Sequence, residues 1–303
     1  MEPIDRPLDT AAVTGTLPVG RKLHNPDEPI FDQGLAFDLE TLMDRRQVIK
    51  LIGSAGLAAG VMTILGCTPA AILSSASPSG STASTATGSD ASCATIPEET
   101  AGPFPGDGSN GPDVLSQSGV VRSDIRSSFG SSSGVAAGIP LTIKLAIQDQ
   151  ANGCAPLAGA AAYVWHCDRD GNYSLYSQAA ANENYLRGVQ EADSNGVVTF
   201  TSIFPACYSG RWPHIHFEVY PSLAKATDQA NKIATSQIAL PKDTCDAVYA
   251  TDGYSQSVTN LARVSLASDG VFGDDGGVHE LGTISGSVAS GLTVELAVPV
   301  QTS

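Results

Sequence analysis

Basic residues are scarce in this chain. Its 303 residues include 16 Lys and Arg against 31 Asp and Glu, which gives a formal net charge of −15. Affinity for nucleic acid depends mainly on Lys and Arg, so the charge argues against a nucleic-acid partner, and likewise against a basic membrane-binding patch. Charged residues make up only 16% of the chain and hydrophobic residues 42%. This composition is sufficient for a buried core and excludes a coiled coil or a fully disordered chain.

The chain also lacks a long hydrophobic run in its first hundred residues. The uncharged stretch Leu51–Gly66 has 16 residues, fewer than the roughly 20 that a membrane-spanning helix needs. It follows the pair Arg45-Arg46 and ends at Cys67, an arrangement typical of a twin-arginine export signal that closes in a lipobox. The alternative, a core helix of the domain, fits poorly with the glycines in this stretch.

The next segment, 68–92, is almost wholly Ser, Thr, Ala, Gly and Pro. Such a composition cannot offset its own ordering entropy and behaves as a flexible tether. We therefore predict an export leader over 1–67, a tether over 68–92 and one folded domain over 93–303. The expected location is extracellular or at the cell surface, with Cys67 as a candidate lipid anchor.

No CxxC pair occurs, which leaves a zinc ribbon or a thioredoxin-type motif without support. In an exported protein, cysteines indicate a disulfide framework. An odd number remains beyond Cys67, so one should be left over, and the sequence does not determine the pairing. These five are Cys93, Cys154, Cys167, Cys207 and Cys245.

The dominant periodicity of the folded part is two, the period of a half-buried strand. It is clearest where Leu, Ile and Val alternate with other residues in 141–148 and 292–298. Two further segments, 161–167 and 197–203, are rich in β-branched and aromatic residues. Helical spacing shows only weakly, around 245–266. We predict an all-β domain, either a β-sandwich or a β-barrel.

Two of the few histidines lie in Pro213-His214-Ile215-His216, at the start of a predicted strand. Period two places His214 and His216 on one face, with Cβ atoms about 6–7 Å apart, so the two rings could share one metal ion. Such a pair also occurs on ordinary surfaces. The neighbouring Tyr208 and Arg211 favour a functional site.

With these residues the sequence resembles the intradiol ring-cleavage dioxygenases, in particular exported single-domain members. The similarity extends over 96–258 and is carried by the segments WHCDRDGNYSLY, YLRGVQEADSNGVVTF and FPACYSGRWPHIHF. The family usually has Pro-Gly-x-Tyr where this chain has Pro205-Ala206-Cys207-Tyr208. This departure puts the shape of the substrate pocket in question.

The resemblance implies a β-sandwich that holds one non-haem Fe(III) per chain. The implied metal ligands are Tyr173, Tyr208, His214 and His216. It further implies that Arg211 is the active-site arginine, that Gln237 lies beside it, and that Tyr208 also acts as a base. The implied substrates are a catecholic aromatic compound and O2. For Gln237, a solvent-facing position on a strand is the alternative.

The residue types suit this chemistry. A phenol has a pKa near 10 and is therefore protonated at neutral pH. A bound trivalent cation would stabilise the phenolate form instead. Fe(II) oxygenases instead use two histidines and one carboxylate, so the tyrosine pair separates the two classes.

Several further expectations belong to this interpretation. Tyr163 and Trp165 are expected in the core, and Asp168 in a turn. For Cys167 and Cys207, participation in disulfides, with partners left open, is expected rather than metal ligation. The alternative functions are a non-catalytic exported sandwich that binds carbohydrate or an aromatic polymer, and a hydrolase with another metal. The oligomeric state is open, with a homodimer as the candidate.

Overall fold

The computed structural model describes residues 93–302, and these form two packed β-sheets with few short helices. The predicted leader and tether lie outside the described residues. The predicted all-β sandwich class is confirmed. Residues 93–302 contain nine strands: β1 Pro140–Asp149, β2 Ala155–Pro156, β3 Ala161–Trp165, β4 Arg187–Glu191, β5 Val197–Ile203, β6 His214–Tyr220, β7 Ala234–Ala239, β8 Thr283–Ser287 and β9 Gly291–Val300.

The first sheet has the order β2-β1-β9-β8, with β5 also paired to β1. Strands β1 and β9 run parallel, and the other pairs of this sheet are antiparallel. The second sheet has the order β4-β3-β6-β7 and is antiparallel throughout. The weak helical spacing corresponds to α1 Lys242–Tyr249 and α2 Ser255–Leu261.

The alternating strands bury one face each between the two sheets. Leu141, Ile143, Leu145 and Ile147 of β1 are at most 2% exposed, and the residues between them are partly exposed. They share one apolar cluster with Ile215, Phe217 and Val219 of β6. The opposite face of β6, which carries both histidines, therefore points away from the main core.

A second apolar cluster covers that opposite face of the second sheet. Tyr163 and Trp165 of β3 pack there against Phe104, Val114 and Leu115 from the segment that precedes β1. The core positions expected for Tyr163 and Trp165 are confirmed, since both are 0% exposed. The histidine face is thus enclosed by loops rather than open to solvent.

The cysteine expectations were partly wrong. A disulfide joins Cys93 to Cys154, which ties the first described residue to the turn between β1 and β2. Cys167, Cys207 and Cys245 are buried free thiols, so the expectation that Cys167 and Cys207 take part in disulfides was wrong. The Cys167 thiol is directed at the carbonyl of Ala206, and the Cys207 thiol at the carbonyl of Arg211. Within the described residues, no helix is long and apolar enough to cross a membrane.

Candidate metal centre

Strand pairing brings three site residues into one row across the second sheet. His216 of β6 lies opposite Trp165 of β3 on one side and opposite Gln237 of β7 on the other. The Trp165 indole stacks on the His216 imidazole with 4.9 Å between ring centroids and 5° between planes. The row fixes the plane of the His216 ring.

Four side-chain heteroatoms, two imidazole nitrogens and two phenol oxygens, meet beside this row. The Nε2 atom of His214 lies 3.1 Å from Nε2 of His216, 3.1 Å from the Tyr208 hydroxyl and 3.4 Å from the Tyr173 hydroxyl. His214, His216 and Tyr173 are at most 2% exposed, and Tyr208 is partly exposed. The structure therefore brings together all four residues that the sequence predicted as metal ligands.

Tyr173 is positioned by a tight turn that follows β3. The Asp168 carboxylate accepts hydrogen bonds from the backbone N–H groups of Asp170 and Asn172, as expected for a turn residue. The Tyr173 amide then donates to the Ser177 hydroxyl, and Phe104 packs on the phenol ring at 4.9 Å. These contacts direct the phenol toward the histidines.

Tyr208 is positioned by a series of side chains that bind the carbonyls before it. The hydroxyls of Tyr254 and Tyr249 donate to the carbonyls of Phe204 and Pro205. From α2, Asn260 donates to the Cys207 carbonyl and Ser257 accepts from the Cys207 amide.

Alanine at position 206 fits this segment, although the related family usually has glycine. The only non-glycine residues with positive φ among those described are Cys154, Leu175 and Leu186. Ala206 therefore needs no left-handed backbone, and its side chain packs in the second apolar cluster. This substitution leaves the approach to Tyr208 unstrained.

The two histidines have the protonation state of metal ligands. Burial and then the Arg211 charge lower the pKa of His214, and burial and then His214 lower the pKa of His216. Nδ1 of His214 lies 2.5 Å from the Trp212 carbonyl oxygen, which can only accept a hydrogen bond, so Nδ1 carries the hydrogen. Its Nε2 atom therefore presents a lone pair to the other three heteroatoms.

Without a cation this arrangement is poorly satisfied. Nε2 of His216 faces Nε2 of His214, and Nδ1 of His216 is buried without a hydrogen-bond partner. Burial and then Tyr208 raise the pKa of Tyr173, so its phenol stays protonated. Separations near 3 Å are those of adjacent donors around one ion with metal–nitrogen distances of about 2.1 Å. The four residues fit a small, highly charged cation.

The composition of the donor set is distinctive. Among residues 93–302, His, Cys, Asp and Glu side chains form no group of three or more that could hold a metal ion. A metal bound here needs the phenol oxygens as ligands, which hard, trivalent cations favour over softer ones.

Arg211 and Gln237 lie next to the four rings. Arg211 is 1% exposed, and its Nη2 donates to Oε1 of Gln237 over 2.7 Å. Gln237 is 0% exposed, and its Nε2 donates to the carbonyl of Thr100. The solvent-facing alternative for Gln237 was wrong, because the register of β6 and β7 turns it toward His216.

Two parts of the site were missed by sequence reasoning. The Thr100–Phe104 segment passes over His216, where Gly102 has φ +66° and an added Cβ would lie 3.3 Å from Cε1 of that ring. Asp269 pairs with Arg211, with 3.0 Å between Oδ2 and Nε. A buried arginine needs an anionic partner, but nothing local to residue 269 identifies it as that partner.

Fold and site together define a β-sandwich with a buried centre of two tyrosines and two histidines. Residues 110–251 match the family model described as Dioxygenase. A solved intradiol ring-cleavage dioxygenase from Tetranychus urticae is similar, with a TM-score of 0.54 and 26% identity over 69% of this chain and 95% of its own. A chlorocatechol 1,2-dioxygenase from Rhodococcus opacus is 42% identical over 53 residues, 18% of this chain. That match spans only 21% of the relative's length. Over the matched residues, this chain is therefore similar to the intradiol ring-cleavage dioxygenases, a group of oxidoreductases.

Proposed function

We propose that this protein is a non-haem Fe(III) dioxygenase that cleaves catecholic rings between their two hydroxylated carbons with O2. The observation that carries the proposal is the buried convergence of the Tyr173, Tyr208 and His216 heteroatoms on Nε2 of His214. Tyr173, Tyr208, His214 and His216 would hold the iron. When bound, the ferric ion would act as a Lewis acid and template for both catechol oxygens.

The chain's own residues divide the remaining tasks. Neutral His214 and His216 supply lone pairs, and Trp165 and the Trp212 carbonyl fix their ring orientations. Tyr208, the more exposed tyrosine, would accept a proton from a catechol hydroxyl at its Oη atom. A pocket lined by Tyr208, Arg169, Ser257 and Asn260 lies beside it.

Arg211 would stabilise negative charge that develops on the substrate as the ring opens. Its guanidinium is buried and held by Gln237, so it needs little rearrangement during the reaction. Gln237 is in turn anchored to Thr100, which links the arginine to the segment over His216.

The direct test is oxygen uptake with a panel of catechols and hydroxyquinols, followed by identification of the product. A ring-opened cis,cis-muconate-type diacid formed with equimolar O2 consumption supports the proposal. Aerobically purified protein should also show a broad visible tyrosinate-to-iron band. Iron-loaded protein that stays colourless and consumes no O2 with any of these compounds would overturn it and leave a binding module as the better interpretation.

We further propose that the enzyme is exported through its leader. The Cys93–Cys154 disulfide supports this, because disulfides persist mainly in oxidising compartments. Cys67 lies outside the described residues, and its lipidation stays a prediction. Fractionation of cells that produce wild type and Cys67→Ser tests both points. An anchored protein becomes freely released when Cys67 is replaced, and a cytoplasmic protein overturns export.

A further inference from the structure

Asp269 is a buried carboxylate that neither the sequence nor the family match assigned to the site. It is 3% exposed and lies in the segment between α2 and β8, beyond the 110–251 range of the family model. Its Oδ2 atom accepts from Nε of Arg211 over 3.0 Å, and both side chains of the pair are at most 1% exposed. A buried arginine without such a partner would be strongly unfavourable.

The carboxylate is itself rigidly held. Its Oδ1 atom accepts from the backbone N–H groups of Val271 and Phe272 over 2.9 and 3.2 Å. Burial opposes ionisation of Asp269, but the Arg211 charge and the Trp212 amide outweigh it and lower the pKa. One oxygen is therefore fixed by its own loop, and the other is directed at the site.

Through Oδ2, Asp269 contacts two consecutive residues of the site. Besides the Arg211 guanidinium, this oxygen accepts from the Trp212 backbone N–H over 2.6 Å. The carbonyl of the same Trp212 accepts from Nδ1 of His214. One carboxylate oxygen thus restrains both the arginine and the residue that fixes the imidazole tautomer.

We infer that Asp269 is a positioning residue for the ring-cleavage reaction, acting on the substrate through Arg211 and on the metal site through Trp212 and His214. This inference rests on the proposed function. Partners of this kind that orient a ligand or a catalytic group typically contribute about 10- to 100-fold in activity or metal affinity. The site therefore includes a loop of the C-terminal quarter of the chain.

The test compares Asp269→Asn with Glu280→Gln in the iron-loaded enzyme. Glu280 is a buried carboxyl from the same C-terminal region that bonds to Ser236, so it serves as the matched control. We expect Asp269→Asn to lower kcat about 10- to 100-fold and to change KM less. The control should keep the kcat of the wild type. Wild-type kcat in Asp269→Asn would overturn the inference.

A double-mutant cycle with Arg211→Gln separates positioning from general destabilisation. If Asp269 acts on substrate through Arg211, Asp269→Asn costs much less when Arg211 is already replaced. Additive losses in kcat would show that Asp269 does not act through the arginine and would overturn that part of the inference.

Hydrogen exchange of the iron-free protein gives a readout that is independent of activity. Asp269→Asn should expose the Trp212 amide to faster exchange than Glu280→Gln does. If Asp269→Asn does not fold, the double variant Asp269→Asn/Arg211→Gln, which removes both charges, is compared with Arg211→Gln alone. Equal protection of the Trp212 amide in these two variants overturns the inference.

The two proposals fail in distinguishable ways. Wild-type protein that is inactive on every catechol refutes the proposed function. The hydrogen-exchange experiment still decides whether Asp269 holds Trp212.

Discussion

Trp165 and His216 lie opposite each other on β3 and β6, and their rings stack almost in parallel at 4.9 Å. The indole supports the imidazole face, yet its own Nε1–H group is buried and has no hydrogen-bond partner among the described residues. The pair thus combines favourable packing with one unsatisfied donor.

Replacing Trp165 by Phe should cost little stability. The benzene ring keeps an aromatic face toward His216, and removal of the unsatisfied N–H regains about 1–3 kcal/mol of desolvation cost. Trp165→Ala should instead lower the free energy of unfolding by about 3–5 kcal/mol, because it leaves a large cavity. Urea unfolding of both variants measures the difference. An equal loss of unfolding free energy in the two variants would mean that the unsatisfied N–H group does not destabilise the fold.

Tyr173→Phe and Tyr208→Phe should each shift or remove the visible band of the iron-loaded protein and abolish turnover. Each change deletes one proposed phenolate ligand. Tyr163→Phe is the matched control, since Tyr163 is also buried but donates its hydroxyl to the Pro105 carbonyl, away from the four heteroatoms. That carbonyl keeps a donor from Arg187 when the hydroxyl is lost. An unchanged spectrum in Tyr173→Phe would refute its assignment as a ligand.

The iron-free protein should lose stability as the pH falls. Burial lowers the pKa of His166 to about 4, and burial likewise lowers the pKa values of His214 and His216. In the unfolded chain, histidines take up protons below about pH 6.5, so the unfolded state binds more protons than the folded state there. Stability is therefore fully present above about pH 6.5 and declines as the pH falls toward 4.

Each such histidine contributes a slope of up to about 1.4 kcal/mol per pH unit. Thermal unfolding between pH 7.5 and 5 measures the combined effect. His166→Gln should reduce the slope. A melting temperature that does not change over this range would contradict the neutral, buried state of the three rings.

The disulfide prediction concerns both stability and labelling. Alkylation of the unfolded, unreduced protein should label Cys167, Cys207 and Cys245 and leave Cys93 and Cys154 unlabelled. Removing the 61-residue crosslink should lower the free energy of unfolding by about 4 kcal/mol in the chain-entropy model. A Cys93→Ser/Cys154→Ser variant provides the comparison, and reductant should not destabilise it further. Labelled Cys93 would contradict the pairing.

Sequence patterns predicted those parts of the site that depend only on residues adjacent in the chain. The two-residue period placed His214 and His216 on one face of β6, and turn-forming residues before Tyr173 marked a loop. Which residue of β7 lies opposite His216 depends on sheet register, a non-local property, and this is why Gln237 had a solvent-facing alternative. The family resemblance, rather than any pattern, supplied the two tyrosines.

Pairings between distant segments were not accessible from the sequence. Disulfide partners depend on which loops meet, and the sequence did not determine them. Cys167 and Cys207 were expected to take part in disulfides, but their thiols point to backbone carbonyls. The carboxylate that neutralises Arg211 lies 58 positions further along the chain. Several acidic residues in the C-terminal region could have served equally well on composition alone.

Strand β9 is the last strand of the domain, yet it is inserted between β1 and β8 and contributes the central parallel partner of β1. During translation, each residue of β1 is synthesised about 150 residues before its partner in β9, as in the pair Leu141 and Leu292. The nascent chain consequently cannot complete its first sheet until residue 300 has left the ribosome, and until then the apolar face of β1 lacks its parallel partner.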